Sequence, residues 1–413
     1  MDYAALGVVP VINAFGTNTR LSGGVLAPAV VAAMAAASTA TVDMLDLQAA
    51  ASRVIAGVTG AEAGIVTSGA SAGILLGAAA CLAGLDLGAM QRLPDTRGMA
   101  REIVAIRSQR NMYDRALRVA GARIVEVGIP DRFSGPGVRD AAAWEVAQAI
   151  RPGRTAAIYY LAGPHSEPSL PEIVAVARAH GLPVLVDAAA QLPPATNLRR
   201  FLEEGADLVA FSGGKAIGGP QASGILCGRR DLVASALVQM LDLDLPEDQF
   251  EVPPEFAPLE ALGGLPHHGI GRSCKVGKEE VMGLLTALVA FATAEPAERT
   301  EIWTARLQRL KRRIGPLPGL SLVADGAKPG LPLLELRFGD AARAAAVEAA
   351  CRAHSPAVHL DAGRLRQGIL AVNPIALLDR DLPELAAALR LACGYSASDI
   401  PNAGFTSAGS GQT

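Results

Sequence analysis

One lysine stands in a turn of small residues, where its amine would be available as a nucleophile. Lys215 lies in the run Ser212-Gly213-Gly214-Lys215, and the chain has only five lysines against thirty-two arginines. An arginine keeps its proton and cannot form an imine, whereas a lysine can lose its proton and attack an aldehyde. We therefore interpret Lys215 as a candidate Schiff-base lysine, with an ordinary surface lysine as the alternative.

Two other segments carry residue types that could support the same chemistry. Asp187 follows the apolar run 183–186, and ligands of open α/β sheets collect at the ends of such strands. Its carboxylate could keep a ring nitrogen protonated, although a helix N-cap is an equal alternative. Ser68, Gly69 and Ala70 form a small-residue turn between a predicted strand and helix, where backbone N–H groups can hold a phosphate. A plain strand–helix turn is the alternative there.

Together, the three segments meet the separate needs of one cofactor, pyridoxal 5'-phosphate (PLP). PLP requires an anchored phosphate, a protonated ring nitrogen so that the ring accepts electrons, and an aldehyde held as an imine. Ser212, three residues before Lys215, could add a contact to the phosphate. The sequence therefore predicts a PLP-dependent enzyme.

The elements that position these residues follow a regular alternation. Between residues 40 and 230, near-continuous Val/Ile/Leu runs of strand length are separated by Ala-rich helical stretches. This pattern is typical of a mainly parallel sheet covered on both faces by helices. The alternation restarts from about residue 302, which predicts a small C-terminal α/β domain. The order of the three segments resembles that of the aspartate-aminotransferase-like fold, PLP fold type I.

Four stretches of the chain are predicted to differ in role. An N-terminal segment over the active site occupies residues 1–40, and the large PLP-binding domain occupies 41–285. The small domain occupies 286–395, and a Gly/Ser-rich flexible tail occupies 396–413. Residues 243–272 are rich in Pro, Gly and acidic groups, so we expect an irregular connection there.

The composition excludes several classes of protein. A net charge of −3 and a pI near 6.1 argue against a nucleic-acid-binding surface. No uninterrupted apolar run reaches membrane-spanning length, and the N-terminus lacks the features of a signal peptide. The five cysteines are scattered, which favours neither a metal site nor a disulfide framework. We expect a cytoplasmic enzyme that acts on a small molecule, without metal, membrane or nucleic acid.

Five motifs carry a resemblance to a known family. They are VINAFGT at 11–17, TSGA at 67–70, DAAAQLPP at 187–194, SGGK at 212–215 and GRSCKVGKEE at 271–280. With them the chain resembles the selenocysteine-synthase-like branch of fold-type-I PLP enzymes, which includes D-glucosaminate-6-phosphate ammonia-lyase. The last two motifs are the more specific ones. Because the chain begins almost directly at VINAFGT and lacks a basic stripe, a tRNA substrate is not expected.

The resemblance implies a role for each matching residue. Lys215 would form the imine and then move a proton, and Asp187 would pair with the ring nitrogen. Gln109 would lie against the cofactor ring, where a histidine or aromatic residue is more usual. Gln191 would reach the phenolic oxygen of PLP or cap a helix. The phosphate would be held by four residues, Ser68, Gly69, Ala70 and Ser212.

Three arginines are candidates to bind a substrate carboxylate or phosphate. Arg20, Arg272 and Arg366 each offer a guanidinium fork that binds such groups with two hydrogen bonds. Arg20 lies in the N-terminal segment, which often covers the active site in this fold. Since the chain has many arginines, an ordinary ion pair is the alternative for each of them.

The predicted activity is that of a lyase on a small polar amino acid or amino sugar acid. Removal of the α-proton and loss of a β-leaving group would release ammonia and a 2-oxo acid. The same residues would serve a racemase or epimerase, an aminotransferase or a β-replacement transferase, and these alternatives stay open. A non-catalytic binding protein is a further alternative. Enzymes of this fold usually form active sites at a dimer interface, so we expect a homodimer or larger homo-oligomer.

Overall fold

The structure is a computed structural model that describes residues 1–129, 140–164, 166–324, 326 and 330–395. The chain forms two compact units. The larger unit is Leu26–Thr293, and the smaller one combines Met1–Val25 with Ala294–Thr413. The predicted domain boundaries, after residues 40 and 285, both fall inside the larger unit. The predicted tail, 396–413, lies outside the described residues.

Strands and helices alternate along most of the described chain. The strands are β1 Ile12–Ala14, β2 Ala63–Thr67, β3 Glu102–Ile106, β4 Arg123–Val127, β5 Thr155–Leu161, β6 Val184–Asp187, β7 Leu208–Ser212, β8 Gly224–Gly228, β9 Leu320–Val323, β10 Leu333–Arg337, β11 Val358–Leu360 and β12 Ile369–Val372. The helices are α1 Pro28–Ala37, α2 Met44–Thr59, α3 Ala70–Ala83, α4 Leu87–Arg92, α5 Arg115–Val119, α6 Ala143–Ala149, α7 Leu170–Ala179, α8 Asn197–Glu203, α9 Arg230–Val238, α10 Lys278–Thr293, α11 Pro296–Ile314, α12 Ala341–Ala353 and α13 Leu382–Ala392. Residues 243–272 contain only short 3₁₀ helices, as predicted.

A seven-stranded sheet forms the centre of the larger unit. Its strand order is β2-β8-β7-β6-β5-β3-β4, and β8 alone runs antiparallel to its neighbours. The other six strands therefore all end at one edge of the sheet. Most of these strands are buried along their whole length, which explains why their sequences are continuous aliphatic runs rather than alternating ones. The predicted mainly parallel α/β fold is confirmed.

The outer edge of β2 is closed by side chains of α2. Gln48 accepts a hydrogen bond from the Val66 N–H at 2.9 Å and donates one to the Val66 carbonyl at 3.0 Å. Ser52 accepts from the Gly64 N–H at 3.1 Å. Because an uncovered strand edge leaves backbone groups without partners, these side chains stabilise the end of the sheet.

The smaller unit has its own core and two small sheets. β9, β10 and β12 form an antiparallel sheet in the order β12-β10-β9, and β1 pairs in parallel with β11. The aliphatic faces of these strands pack with α11, α12 and α13. The pairing of β1 makes the N-terminal residues part of this unit.

Within the described ranges, no single helix is both long and apolar enough to cross a membrane. The consecutive helices α10 and α11 satisfy the same criteria of length and composition only when taken together.

Candidate active site

Lys215 lies in a closed loop that follows the buried strand β7. The loop is held by backbone hydrogen bonds from Gly213 to Ser223 and from Gly219 to Gly213, both 2.9 Å long. The strand positions the start of the loop at the carboxyl edge of the sheet, and these bonds restrict the backbone around the lysine. The expected small-residue turn is therefore a rigid support for Lys215.

The amine of Lys215 loses its proton more readily than that of an exposed lysine. The side chain is partly buried and forms no hydrogen bond or ion pair with any residue that the structure describes. Burial lowers the pKa of Lys215, and the nearby charge of Asp187 opposes this shift. A lowered pKa increases the share of neutral amine at physiological pH, which is the nucleophilic and basic form.

Asp187 ends β6 and is buried, with 3% of its surface exposed. One carboxylate oxygen accepts a hydrogen bond from the Ala189 N–H, and the other accepts one from the Tyr159 hydroxyl, each at 3.0 Å. Burial raises the pKa of Asp187, while these two hydrogen bonds and the charge of Lys215 act in the opposite direction. Both carboxylate oxygens are thus oriented before any ligand binds.

Tyr159 is a site residue that the sequence reasoning missed. It lies in β5, next to β6, and is 1% exposed. Burial raises the pKa of Tyr159, so its hydroxyl stays protonated and remains a donor to Asp187. The sequence does contain a signal for this residue, because a tyrosine stands inside an otherwise apolar strand. A buried hydroxyl requires a hydrogen-bond partner, so such a tyrosine is expected to lie beside a polar group.

The turn at residues 68–70 leads directly into α3, as predicted. Gly73 is the first residue of the helix whose N–H is bonded within it, to the Gly69 carbonyl at 3.0 Å. The N–H groups of residues 70–72 therefore remain available to an anion at the positive end of the helix. Gly69 has a φ of +120°, which a residue with a side chain rarely adopts. Ser68 donates to the Cys274 carbonyl at 2.9 Å.

Three adjacent strands place this turn beside the lysine loop. Gly224 of β8 is in register with Thr67 on one side and with Ser212 on the other. Ser212 ends β7 and lies three residues before Lys215. Asp187 ends β6, the strand that pairs with β7. The predicted phosphate, lysine and acid positions therefore converge on one edge of the sheet.

Gly224 packs directly against the backbone of the turn at residues 69 and 70. A Cβ atom at Gly224 would lie 2.4 Å from the Gly69 carbonyl carbon and 2.6 Å from the Ala70 nitrogen. We expect Gly224→Ala to displace the turn and to weaken binding of PLP, the cofactor predicted from the sequence, by roughly tenfold or more, since overpacking forces backbone shifts. Gly57→Ala in α2 is the matched control, because a Cβ there meets no atom within 4 Å. PLP titration with circular dichroism would check this; unchanged affinity in a folded Gly224→Ala variant would contradict it.

Two predicted glutamines lie at the same edge, and each takes part in hydrogen bonds there. Gln109 follows β3, accepts from the Leu161 N–H at 3.1 Å and donates to the Glu167 carbonyl at 3.4 Å. Its amide thus supports the connection after β5. Gln191 lies in the turn after β6, where its backbone carbonyl accepts a hydrogen bond from the side-chain amide of Asn197 at 2.7 Å.

The three candidate arginines lie in different places. Arg272 is in the 3₁₀ helix Ile270–Cys274, where it pairs with Asp242 and lines a cleft of about 540 Å³. Neither Lys215 nor Asp187 lines that cleft. Arg20 and Arg366 are exposed residues of the smaller unit.

Comparison with known proteins gives two relatives above 30% identity. A 5'-C-glycyluridine monooxygenase-decarboxylase from a Streptomyces species is 34% identical over 391 residues, which cover 91% of this chain and 88% of that protein. A D-glucosaminate-6-phosphate ammonia lyase from Salmonella typhimurium is 31% identical over 401 residues, which cover 94% of this chain and 96% of that protein.

Solved structures agree with the fold. The structure of a D-glucosaminate-6-phosphate ammonia-lyase has a TM-score of 0.75 and 30% sequence identity, and the match covers 95% of this chain and 97% of that one. A serine palmitoyltransferase solved with PLP as its internal aldimine has a TM-score of 0.53 at 14% identity, over 92% of this chain and 86% of the other. The second likeness shows the fold alone, which is that of the fold-type-I enzymes.

The family model described as "SelA: L-seryl-tRNA selenium transferase" matches residues 11–252. This match confirms the family resemblance inferred from the sequence motifs. Because the model covers more than half of the chain, and two relatives above 30% identity extend over nine-tenths of it, the chain is an enzyme of the SelA family.

Proposed function

We propose that this enzyme binds PLP at the carboxyl edge of the large sheet and acts as a lyase on an amino acid or amino sugar acid. The observation that carries the proposal is the pair of Asp187 and Lys215 beside the turn at 68–70. Asp187 is a buried carboxylate with no ion pair among the described residues. A buried carboxylate is costly unless a cation compensates it, and a protonated ring nitrogen would be such a cation.

The residues present fit the three functional groups of PLP. Lys215 would hold the aldehyde carbon, and Asp187 would hold the ring nitrogen. The N–H groups at the start of α3, together with Ser212, would hold the phosphate. When bound, PLP supplies a ring that accepts electron density from the substrate α-carbon.

The chain's own residues would then perform proton transfer. The neutral Nζ of Lys215 would accept the α-proton of the substrate, and its lowered pKa favours this base form. Asp187, oriented by Tyr159 and Ala189, would hold a proton on the ring nitrogen. Loss of a β-leaving group and hydrolysis would release ammonia and a 2-oxo acid.

The two relatives support different substrate classes. The ammonia lyase at 31% identity, by its name, acts on a phosphorylated amino sugar acid, which supports the lyase proposal. The relative at 34% identity is named as a monooxygenase-decarboxylase of a glycyl nucleoside. An oxidative decarboxylation of an α-amino acid is therefore the second candidate function. Racemisation, transamination and β-replacement remain the other possible outcomes of α-proton removal.

A substrate panel would decide between these reactions. D- and L-amino acids, amino sugar acids and their phosphates would be incubated with the PLP-loaded enzyme. Ammonia with a 2-oxo acid is the result expected for the lyase, whereas oxygen uptake with carbon dioxide release would identify the second candidate. The loaded protein should also show a visible absorbance band that borohydride removes. A protein that stays colourless with added PLP would contradict both candidates.

We also propose that the enzyme is a homodimer or larger homo-oligomer. No charged residue occurs between Arg20 and Asp43, and this stretch includes all of α1. Only Val30 of that helix is buried, and Val31 is 51% exposed. A helix without charged residues is unfavourable in water unless another surface covers it, and a second copy would do so.

The oligomer is tested by changing one exposed side chain of α1. Val31→Glu would place a charge in the apolar surface and is expected to shift the protein toward the monomer. Val289→Glu on α10, 43% exposed, is an informative companion because α1 packs on α10. Light scattering coupled to size-exclusion chromatography would measure the mass. A wild-type protein that is monomeric at micromolar concentration would refute the proposal.

A further inference from the structure

A second concave surface lies in the larger unit, along the outer strand β4. Its volume is about 510 Å³, and its floor is the segment Gly121–Ile124. Thr96, which is 3% exposed, donates to the Gly121 carbonyl at 2.8 Å and holds this floor in place. None of the residues assigned above to PLP or substrate lines this groove, which we call the β4 groove.

Positive charge accumulates at the amino-terminal end of the β4 groove. Arg101, Arg118 and Arg123 line it there. The side chains of Arg101 and Arg118 are exposed and form no hydrogen bond or ion pair within the described part of the chain. The protein as a whole carries a net charge of −3, so this local excess of cations is not a general property of its surface.

The carboxylate that pairs with Arg123 is already shared by other cations. Glu102 is 1% exposed and is bound by Arg151 through two hydrogen bonds of 2.6 and 2.9 Å. Its Oε1 also lies 3.4 Å from Arg154 and 3.5 Å from Arg123. One buried carboxylate therefore faces three guanidinium groups, which leaves Arg123 largely uncompensated.

At the other end of the groove, acidic side chains compensate the positive charge of the arginine. Arg110 lines it but is bound by the buried Asp114 and by Glu126. Glu126 also accepts a hydrogen bond from Arg107 at 2.8 Å. The unpaired cations are consequently confined to one end, rather than spread along a track that a polymer would follow.

We propose that the β4 groove binds a compact polyphosphate group, such as the diphosphate or triphosphate of a nucleotide. Guanidinium groups bind phosphate oxygens in pairs, and three of them converge here without sufficient acidic partners. The volume lies in the range of roughly 300–1,000 Å³ that holds one small ligand. This site is separate from the proposed PLP site and does not depend on it.

The test is calorimetric titration of the full-length protein with inorganic tripolyphosphate at low ionic strength. Saturable binding is expected for the wild type, and it should weaken as salt is added because the contacts are ionic. Arg101→Gln/Arg118→Gln should weaken binding at least tenfold, while Arg312→Gln, an exposed arginine of α11, should leave it unchanged. The double variant should retain wild-type turnover. Absence of saturable binding, or equal affinity in the double variant, would overturn the proposal.

Two controls locate the ligand and identify its class. Binding that disappears in Gly224→Ala but persists in Arg101→Gln/Arg118→Gln would place tripolyphosphate at the turn of residues 68–70, and the proposal would be wrong. A single-stranded oligonucleotide of about twenty nucleotides is the other comparison. If it binds more tightly than tripolyphosphate and competes with it, the groove recognises nucleic acid instead of a compact anion. Weaker binding of the oligonucleotide supports the proposal.

Discussion

Replacement of Lys215 by alanine is expected to reduce turnover by about a thousandfold or more. The change removes both the amine that would hold PLP and the base that would accept the α-proton, and general-base catalysis alone contributes roughly 10²–10⁴-fold. Lys215→Arg is expected to be almost as inactive, because it keeps the positive charge but cannot form an imine. Steady-state kinetics with the substrate found in the panel would measure the loss. Lys311→Ala on α11 is the matched control.

A further variant, Lys215→Met, should separate the function of this residue from its effect on stability. The pKa of Lys215 is lowered from 10.5 in the folded protein, so the unfolded chain binds more protons in the interval below 10.5. The free energy of unfolding is therefore highest above the unfolded pKa of Lys215, where the amine is neutral in both states. It decreases as the pH falls through the folded pKa, because the buried amine must then become charged. We expect PLP-free Lys215→Met to unfold at a higher temperature than the wild type at neutral pH. Wild-type turnover in Lys215→Ala would remove this residue from the mechanism.

Replacement of Asp187 by asparagine is expected to reduce turnover by roughly a hundredfold to a thousandfold. The amide keeps the shape of the side chain but removes the charge that would hold the ring nitrogen protonated, and a buried ion pair that loses one partner costs about 3–5 kcal/mol. Tyr159→Phe removes a single hydrogen bond to the carboxylate, so its effect should be about tenfold. Equal losses in the two variants would argue against a specific role for the charge. Kinetics and the absorbance spectrum of the loaded enzyme would distinguish them.

Asp187 should also change how the free energy of unfolding depends on pH. Burial raises its pKa above 3.8, so the folded PLP-free protein binds more protons than the unfolded chain in the interval above that value. The stabilising contribution is complete below the unfolded pKa and is lost as the pH rises through the folded pKa. Asp187→Asn should flatten the free energy of unfolding across this interval. Denaturant titrations of both proteins between about pH 4 and neutrality would show it.

Sequence alone predicted most strands of the large sheet well because these strands are buried on both faces. A strand that is buried on both faces reads as a nearly continuous apolar run, and β3, β5, β6, β7 and β8 all do so. The strands β1, β9 and β11 were not predicted. Each contains only three or four residues and is interrupted by a polar one, Asn13, Ser321 or His359, so none forms a continuous hydrophobic run. Their existence depends on partners that are distant in the sequence, as in the pairing of β1 with β11.

The sequence by itself also determined which residues are available for the proposed chemistry, because imine formation requires a lysine and ring protonation requires an acid. Lys215 and Asp187 could therefore be named from residue type and order. Only the tertiary structure decided what supports them. The antiparallel β8 places Gly224 against the turn at Gly69, and the neighbouring strand brings Tyr159 to Asp187. Such contacts join residues that are far apart in the chain, so no local pattern of residues encodes them.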